Sequence, residues 1–170
     1  EFLLADVSDG NSRVILEERD SYWINIEDQV HFFEDSDRFL WGSDRSGYRH
    51  LYLYDLDGTL INRMTSSEWV VTEFVGADEQ NNVVYFLANK NDVKERQLYK
   101  VNIDGSEFTR ISEQAGTHEV DLSSNEQFYI DEYSDVLQPE QQHLHTADGA
   151  QVRRLSSSVK PPLSEFDLQM

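Results

Sequence analysis

The stretch FLWGSDRSGYRHLYLYDLDGTL, Phe39 to Leu60, holds two turn signals with an unbroken apolar run between them. Leu51-Tyr52-Leu53-Tyr54 is apolar at four successive positions, whereas a strand with one face in water alternates apolar and polar side chains. Both faces of this strand are therefore expected to be covered by protein. Asp57-Gly58, just downstream, is a tight-hairpin signal, read as a turn with positive φ at both central residues. Ser43-Asp44-Arg45, with His50 seven residues beyond the serine, poses a choice between a catalytic remnant and a structural corner.

Laid against itself, the sequence repeats. Asp-Gly turns fall at Asp9-Gly10, Asp57-Gly58, Asp104-Gly105 and Asp148-Gly149, with glycines 48, 47 and 44 residues apart. Five residues after each of the last three glycines a closing triplet begins: Arg63-Met64-Thr65, Arg110-Ile111-Ser112 and Arg154-Leu155-Ser156. The pairs Leu51-Tyr52, Leu98-Tyr99 and Leu144-His145 precede those glycines, and Phe39-Leu40-Trp41, Val84-Tyr85-Phe86 and Phe128-Tyr129-Ile130 align further upstream. Each repeat holds four short apolar or alternating runs; in the second these are Trp69 to Val75, Val83 to Ala88, Gln97 to Ile103 and Phe108 to Ile111. No window carries apolar residues at helical spacing over ten or so positions.

A period of roughly 46 residues with four antiparallel strands per unit describes a β-propeller blade. A β-sandwich would also bury a strand on both faces, but it gives no reason for the period. The fold class is therefore all-β: a propeller fragment of about three four-stranded blades, preceded by two strands of another. The expected divisions are residues 1–20 for the partial blade, 21–66, 67–113 and 114–156 for the three blades, and 157–170 for a linker. Propellers close with about four to eight blades, so this chain reads as an arc of a larger ring.

Composition agrees with a folded domain. Over 170 residues, 12% are aromatic, and 33 acidic residues against 14 Lys and Arg give a formal net charge of −19. That charge argues against nucleic acid or an anionic membrane as partner. The acid is dispersed and reads as a solvated surface, with an acidic face for a basic partner or a salty medium as the alternative. Cysteine is absent, which excludes disulfides, thiolate metal sites and a cysteine nucleophile. No apolar run approaches the roughly 18 residues that span a bilayer, and EFLLADVSDG has neither a basic start nor a cleavage-type segment.

Catalytic and metal patterns are sparse. The nucleophile pattern G-x-S-x-G does not occur around Ser43, and GSDRSG lacks the lysine and helix of a phosphate loop. His143-x-His145 would place two imidazoles on one strand face, but spacing names no third ligand. Asp55-x-Asp57 and the acidic GADEQNN lack calcium-loop spacing and read as hairpin turns. Trp23, Trp41 and Trp69 keep blade spacing and read as core. No catalytic, cofactor or metal residue is assigned.

Ser43-Asp44-Arg45-Ser46-Gly47-Tyr48-Arg49-His50-Leu51-Tyr52, with MTSSEWVVTEFVGAD, VVYFLANK, ERQLYKVNIDG and GTHEVDLSSNEQFYIDEYS, resembles the propeller of the dipeptidyl peptidase IV family in the prolyl oligopeptidase group, particularly its bacterial members. The family usually has glutamate where Asp44 stands. Ser43, Asp44, Gly47, Tyr48, Arg49, His50, Leu51 and Tyr52 are then signature structural residues, at the corner that joins a blade's second and third strands.

The resemblance implies an eight-bladed propeller capping a serine exopeptidase that removes N-terminal dipeptides, typically after proline or alanine, in a periplasmic or secreted setting. The implied partners are a peptide substrate and a hydrolase domain of the same chain, towards which Pro161 to Phe166 would lead. The family's catalytic Ser, Asp and His lie in that hydrolase domain. Its paired glutamates have no counterpart here, because Glu17-Glu18 lacks their aromatic-rich context. Trp23 to Phe33 falls where the family sometimes adds a substrate-side contact, but the pattern departs there and assigns nothing. The rival reading is a non-enzymatic propeller that binds proteins. Two uncovered end faces also predict self-association of the arc.

Overall fold

β-branched and aromatic residues bracketed by Asp-Gly and Asn-rich turns form strands, and the turns fold each group of four into a meander. In the computed structural model, which describes residues 1–25, 29–34 and 36–157, every regular element is a strand. β1 (Phe2–Ala5) and β2 (Ser12–Leu16) make a two-stranded sheet. Three four-stranded antiparallel sheets, or blades, follow in chain order. Blade 1 is β3 (Val30–Phe32), β4 (Arg38–Ser43), β5 (His50–Asp55) and β6 (Leu60–Arg63). Blade 2 is β7 (Val71–Asp78), β8 (Val83–Ala88), β9 (Gln97–Asn102) and β10 (Thr109–Arg110). Blade 3 is β11 (Thr117–Leu122), β12 (Phe128–Ser134), β13 (Gln141–Thr146) and β14 (Gln151–Ser157). The expected linker lies outside the described residues beyond Ser157.

The apolar run in β5 is buried on both sides. Leu51 and Leu53 join Leu40 and Met64 in a cluster with Trp69, Val84 and Phe86 of the next blade. Tyr52 and Tyr54 point the other way and pack with Phe39, Ile15 and Leu16, towards β1 and β2. β8 repeats the arrangement: Val84, Phe86 and Ala88 face blade 1, while Tyr85 and Leu87 meet Tyr129, Val120 and Leu122 of blade 3. Blades 1 and 2 are thus covered by neighbours on both faces, as the all-β propeller reading requires.

Two local expectations are corrected. At the Asp-Gly turns only the glycines have positive φ, between 75° and 101°, and the aspartates do not. Gly58 N–H bonds Asp55 O at 2.9 Å and Asp55 N–H bonds Thr59 O at 3.0 Å, which is a type I turn closed by a glycine bulge. The aspartate carboxylate makes the difference: Asp57 Oδ1 accepts from Thr59 N–H at 2.8 Å, and Asp104 does the same for Ser106 at 2.9 Å. The second correction concerns the first strand of blade 2, read from the sequence as Trp69 to Val75. Bulges at Val71/Glu73 and Phe74/Gly76 break its period of two, so the apolar residues misplace its ends.

The turn glycines also set the distance between blades. A Cβ on Gly58 would lie 2.4 Å from the Ile15 carbonyl oxygen of the preceding sheet, whereas one on Gly47, also at positive φ, would meet nothing within 4 Å. Gly58→Ala is expected to cost about 2–4 kcal/mol in denaturant unfolding, from backbone strain plus the clash, and Gly47→Ala about 1 kcal/mol from strain alone. Equal losses would contradict this account of blade spacing.

Candidate functional site

The Ser43–Tyr52 corner is the most specific stretch in the sequence, and the structure divides it into two separate networks. Ser43 and His50 are cross-strand partners at the hairpin end of β4 and β5, and both are fully buried. Their side chains nevertheless have different partners. Ser43 Oγ donates to Glu18 Oε1 and accepts from Arg45 Nε at 2.9 Å. The same Glu18 oxygen accepts from Trp41 Nε1 at 3.2 Å and from Arg45 Nη2 at 2.5 Å. The Arg45 guanidinium bonds the Tyr54 hydroxyl and lies over the Tyr52 ring at 4.6 Å. Burial opposes the charge on Arg45, but the bonds to Tyr54 and Glu18 prevail, and its pKa is raised. Burial likewise raises the Tyr54 phenol.

His50 belongs to the other network. Its Nε2–H donates to Ser67 O at 2.9 Å, and its Nδ1 meets Thr65 Oγ1 at 3.0 Å. Thr65 Oγ1 also accepts from Leu51 N–H at 3.0 Å. The ring stands edge-on to Trp69, 5.0 Å away. Blade 2 builds the same lock with other residues: Gln97 Nε2 donates to Gln114 O at 2.9 Å, Ser112 Oγ donates to Gln97 Oε1 at 2.5 Å, and Leu98 N–H donates to Ser112 Oγ at 2.9 Å. The repeated triplets therefore have a physical role. Their hydroxyl ties the end of a blade's fourth strand to the start of its third. Their arginine folds back, with Arg63, Arg110 and Arg154 Nε donating to the carbonyls of Thr65, Ser112 and Ser156 at 2.9, 2.6 and 3.1 Å.

The remaining residues of the corner shape the hairpin. Gly47 N–H bonds Asp44 O at 2.8 Å and closes the turn at φ 90°. Asp44 accepts from Asn25 Nδ2 at 2.8 Å and lies 3.7 Å from Arg49 Nη2. The Arg49 carbonyl accepts from Val71 N–H at 2.9 Å, linking the hairpin to the next blade, and the Arg96 carbonyl does the same for His118 N–H at 3.1 Å. Tyr48 is exposed, while Leu51 and Tyr52 are core.

Ser43 and His50 do not pair as a nucleophile and its base would. Ser43 touches a carboxylate and a guanidinium, and His50, which would have to be its base, is committed to Thr65 and Ser67. Glu18, the hub of the first network, escaped the sequence reading because nothing in its spacing relates it to Ser43 25 residues away. The network borders a cavity of about 290 Å³ lined by Phe2, Leu16, Glu18, Ile24, Asn25 and Trp41. Trp69 is buried and Trp41 partly so, but Trp23 is 77% exposed, which corrects its assignment to the core. It sits in the connection before blade 1, with Nε1 bonded to Asn25 Oδ1 at 3.0 Å instead of entering a sheet.

His143 and His145 do share a strand face, with rings 6.1 Å apart. His145 Nδ1–H donates to Gly149 O at 3.1 Å, and its ring stacks on Tyr129 at 4.9 Å. His118, on the same side of blade 3, lies between Asp131, at 2.9 Å, and Gln114 O, at 3.1 Å. Burial holds His143 below the usual histidine range, assisted by His145. Among the described residues no three His, Asp or Glu converge as a metal ion needs, and no helix is long and apolar enough to cross a membrane.

Burial also holds His50 below the usual histidine value. Its neutral form contributes stability that is fully present above about pH 6.5 and is lost as the pH falls through the folded-state value. Across that interval the unfolding free energy should fall by up to about 1.4 kcal/mol per pH unit from this group. His50→Gln, which supplies the Gln97 arrangement of blade 2, should abolish that part of the slope; an unchanged slope in denaturation between pH 5 and 7 would contradict the assignment.

A family model described as the dipeptidyl peptidase IV N-terminal region matches residues 1–140. A probable dipeptidyl peptidase 4 of Emericella nidulans is 29% identical over 140 residues, covering 75% of this chain and 18% of that protein. The dipeptidyl peptidase 4 of Arthroderma otae is 26% identical over 141 residues, with the same coverage, and a probable one of Aspergillus flavus is 26% identical over 145 residues. This chain thus spans about a fifth of the length of these relatives. The crystal structure of Porphyromonas gingivalis dipeptidyl peptidase 4 superposes on 93% of the chain, and 22% of its own, with a TM-score of 0.84 at 24% identity, so the fold is shared. Four successive sheets buried on facing sides and a family match over most of the length lead to one assignment: the chain belongs to the dipeptidyl peptidase IV N-terminal region family.

Proposed function

We propose that this chain is part of the propeller of a dipeptidyl-peptidase-IV-like serine exopeptidase that releases N-terminal dipeptides, typically after proline or alanine, and that it carries no catalytic residue itself. The supporting observation is the family match over residues 1–140. The signature corner agrees with it, since Ser43 and His50 are consumed in separate structural networks. In this reading the propeller selects substrates sterically. A rigid ring over the active site passes thin, unfolded peptide ends and holds back folded proteins. The signature residues Ser43, Asp44, Gly47, Tyr48, Arg49, His50, Leu51 and Tyr52 keep the blade corners fixed, and the hydrolase domain of the same chain supplies Ser, Asp and His.

The test is the gene beyond Met170, followed by an assay of the full chain on dipeptide chromogenic substrates. The reading requires a G-x-S-x-G serine with downstream Asp and His, and dipeptide release by the intact enzyme. A gene that ends soon after Met170, with a protein partner recovered on pull-down, would replace it with the binding-module reading. In the intact enzyme Ser43→Ala should cost about 1–3 kcal/mol of stability, because it removes a donor from the partly buried Glu18 network, while leaving turnover of the folded protein within about twofold of the parent. A loss of turnover like that of a nucleophile substitution would overturn the structural role of Ser43.

The 170-residue arc by itself should self-associate, because its end sheets leave Leu3 and Val14 at one side and Phe128 and Ile130 at the other exposed to water. Sedimentation at increasing concentration should show growing oligomers; a monomer at all concentrations would contradict this.

A further inference from the structure

The strand registers of the three blades correspond position by position, and the chemistry changes in the last blade. In blade 1, Tyr52 on the third strand stands between Trp41 on the second and Arg63 on the fourth. In blade 2, Tyr99 holds the same place between Phe86 and Arg110. In blade 3 the place belongs to His143, between Asp131 and Arg154. Like Tyr52 and Tyr99, His143 stands six residues before its turn glycine, so the match of Leu144-His145 to Leu51-Tyr52 on apolar pattern is displaced by two residues. Two positions further on, Tyr54 and Val101 of the earlier blades give way to His145. The aromatic pair that faces the preceding sheet in blades 1 and 2 is thus replaced by a carboxylate and an imidazole.

Titratable and charged groups approach His143 from every neighbouring element. Asp131 is its cross-strand partner on β12, but both carboxylate oxygens already lie 2.9 Å from Nδ1 of His118 on β11. His145, on the same strand, stands edge-on with its ring centroid 6.1 Å away, and Arg154 lies opposite on β14. From blade 2, the exposed Glu113 and Gln114 border a cavity of about 150 Å³ that His118, Asp131 and His145 share, while Lys100 lies towards Asp148 at the turn. His118, Asp131 and His143 are all buried. One engaged carboxylate therefore serves three imidazoles and a guanidinium, and a positive charge added at His143 meets no unengaged carboxylate among the described buried residues. The cluster also holds the blades together. His118 Nε2 meets the Gln114 carbonyl at 3.1 Å, and that carbonyl accepts from Gln97 Nε2 at 2.9 Å and from Arg110 Nη2 at 3.1 Å. β13 and β14 are poorly braced around it, since their pairing is broken by two irregularities in register.

From this exchange of an aromatic pair for a titratable cluster we infer that blade 3 contains an acid-operated switch, in which protonation of His143 loosens β13 and β14 from their sheet and from blade 2. Tyr52 and Tyr99 give blades 1 and 2 no such device at this position. The inference concerns the arc's own residues and stands whether or not the peptidase reading does. Its direction follows from the folded state. Burial, reinforced by His145 and Arg154 and opposed by Asp131, holds the His143 imidazole below the usual histidine range. Opening returns the ring to water and to a value of about 6.5. Above about pH 6.5 this group leaves the opening equilibrium unchanged. Below it, the open form takes up a proton that the closed form refuses, and the open population rises by up to about tenfold per pH unit until the folded-state value is passed. His50 also responds to acid, but it acts at the link between blades 1 and 2, so the two responses are distinguished by place.

The experiment is amide hydrogen exchange of the full-length protein, read by peptide mass spectrometry at about pH 7, 6 and 5 and corrected for the intrinsic pH dependence of exchange. Peptides covering β13 and β14 should open at least about fivefold more at the lowest pH than at the highest, against less than about twofold for β8 in blade 2. His143→Tyr, which installs the residue of blades 1 and 2, should abolish the acceleration. His143→Gln, which keeps a polar side chain that takes up no proton, should abolish it too, whatever its effect on exchange at neutral pH, and it decides the matter where the tyrosine variant does not fold. Exchange in β13 and β14 that does not change with pH overturns the inference. So does an acceleration that persists in His143→Gln, or one that β8 shares in full, since the first removes His143 from the switch and the second is unfolding of the whole arc.

Discussion

The two central sheets of this arc, blades 1 and 2, must be apolar on both faces, and the remaining features follow from that requirement. Leu51 and Leu53 face one neighbour, and Tyr52 and Tyr54 the other, so β5 contributes four buried side chains in succession. A sheet buried on two sides cannot stand alone in water. Its stability is shared with the sheets before and after it, through layers such as Trp69, Phe86 and Tyr99, whose rings stack about 6 Å apart. Neighbouring sheets must then meet at a fixed spacing, and polar groups at the strand ends must be satisfied locally.

The polar locks answer that second demand. The hydroxyls of Thr65 and Ser112 receive the amide of the second residue of a third strand and engage a buried side chain, His50 in one blade and Gln97 in the next. An imidazole and an amide serve equally because each can donate to a link carbonyl while meeting a hydroxyl with its other polar atom. A buried Ser-His pair that looks catalytic on paper is therefore divided between two structural tasks. Several short-range constraints, on φ at Gly47, on charge at Asp44 and on burial at Ser43 and His50, coincide at this corner.

The same alternation of strand direction that buries the faces leaves the rims as the surfaces free to carry function. In this arc one rim holds acidic turns and the other holds apolar hairpin tips with mixed charge. Turn aspartates are demanded by backbone geometry, since their carboxylates cap the amide two residues on, so the acidic rim is partly a by-product of folding. The exposed Val93, Val136 and Leu137 have no such backbone reason.

The repeat was legible in the sequence because blade geometry imposes its period on turns, triplets and apolar runs alike. The all-β class, the meander and the double-sided burial of Leu51 to Tyr54 could all be read from that period. Local chemistry was less legible. The turn type at Asp57-Gly58 depends on the Asx hydrogen bond, and the limits of β7 depend on two bulges. Trp23 kept the spacing of the other tryptophans yet lies outside any sheet. The role of Glu18 was invisible, because its link to Ser43 and Arg45 spans a gap between sheets that spacing along the chain does not encode. What the sequence by itself determined was where the strands, turns and apolar faces fall, since these answer to local geometry and water. Only the tertiary structure decided which polar groups meet across blades, because such contacts depend on how sheets stack.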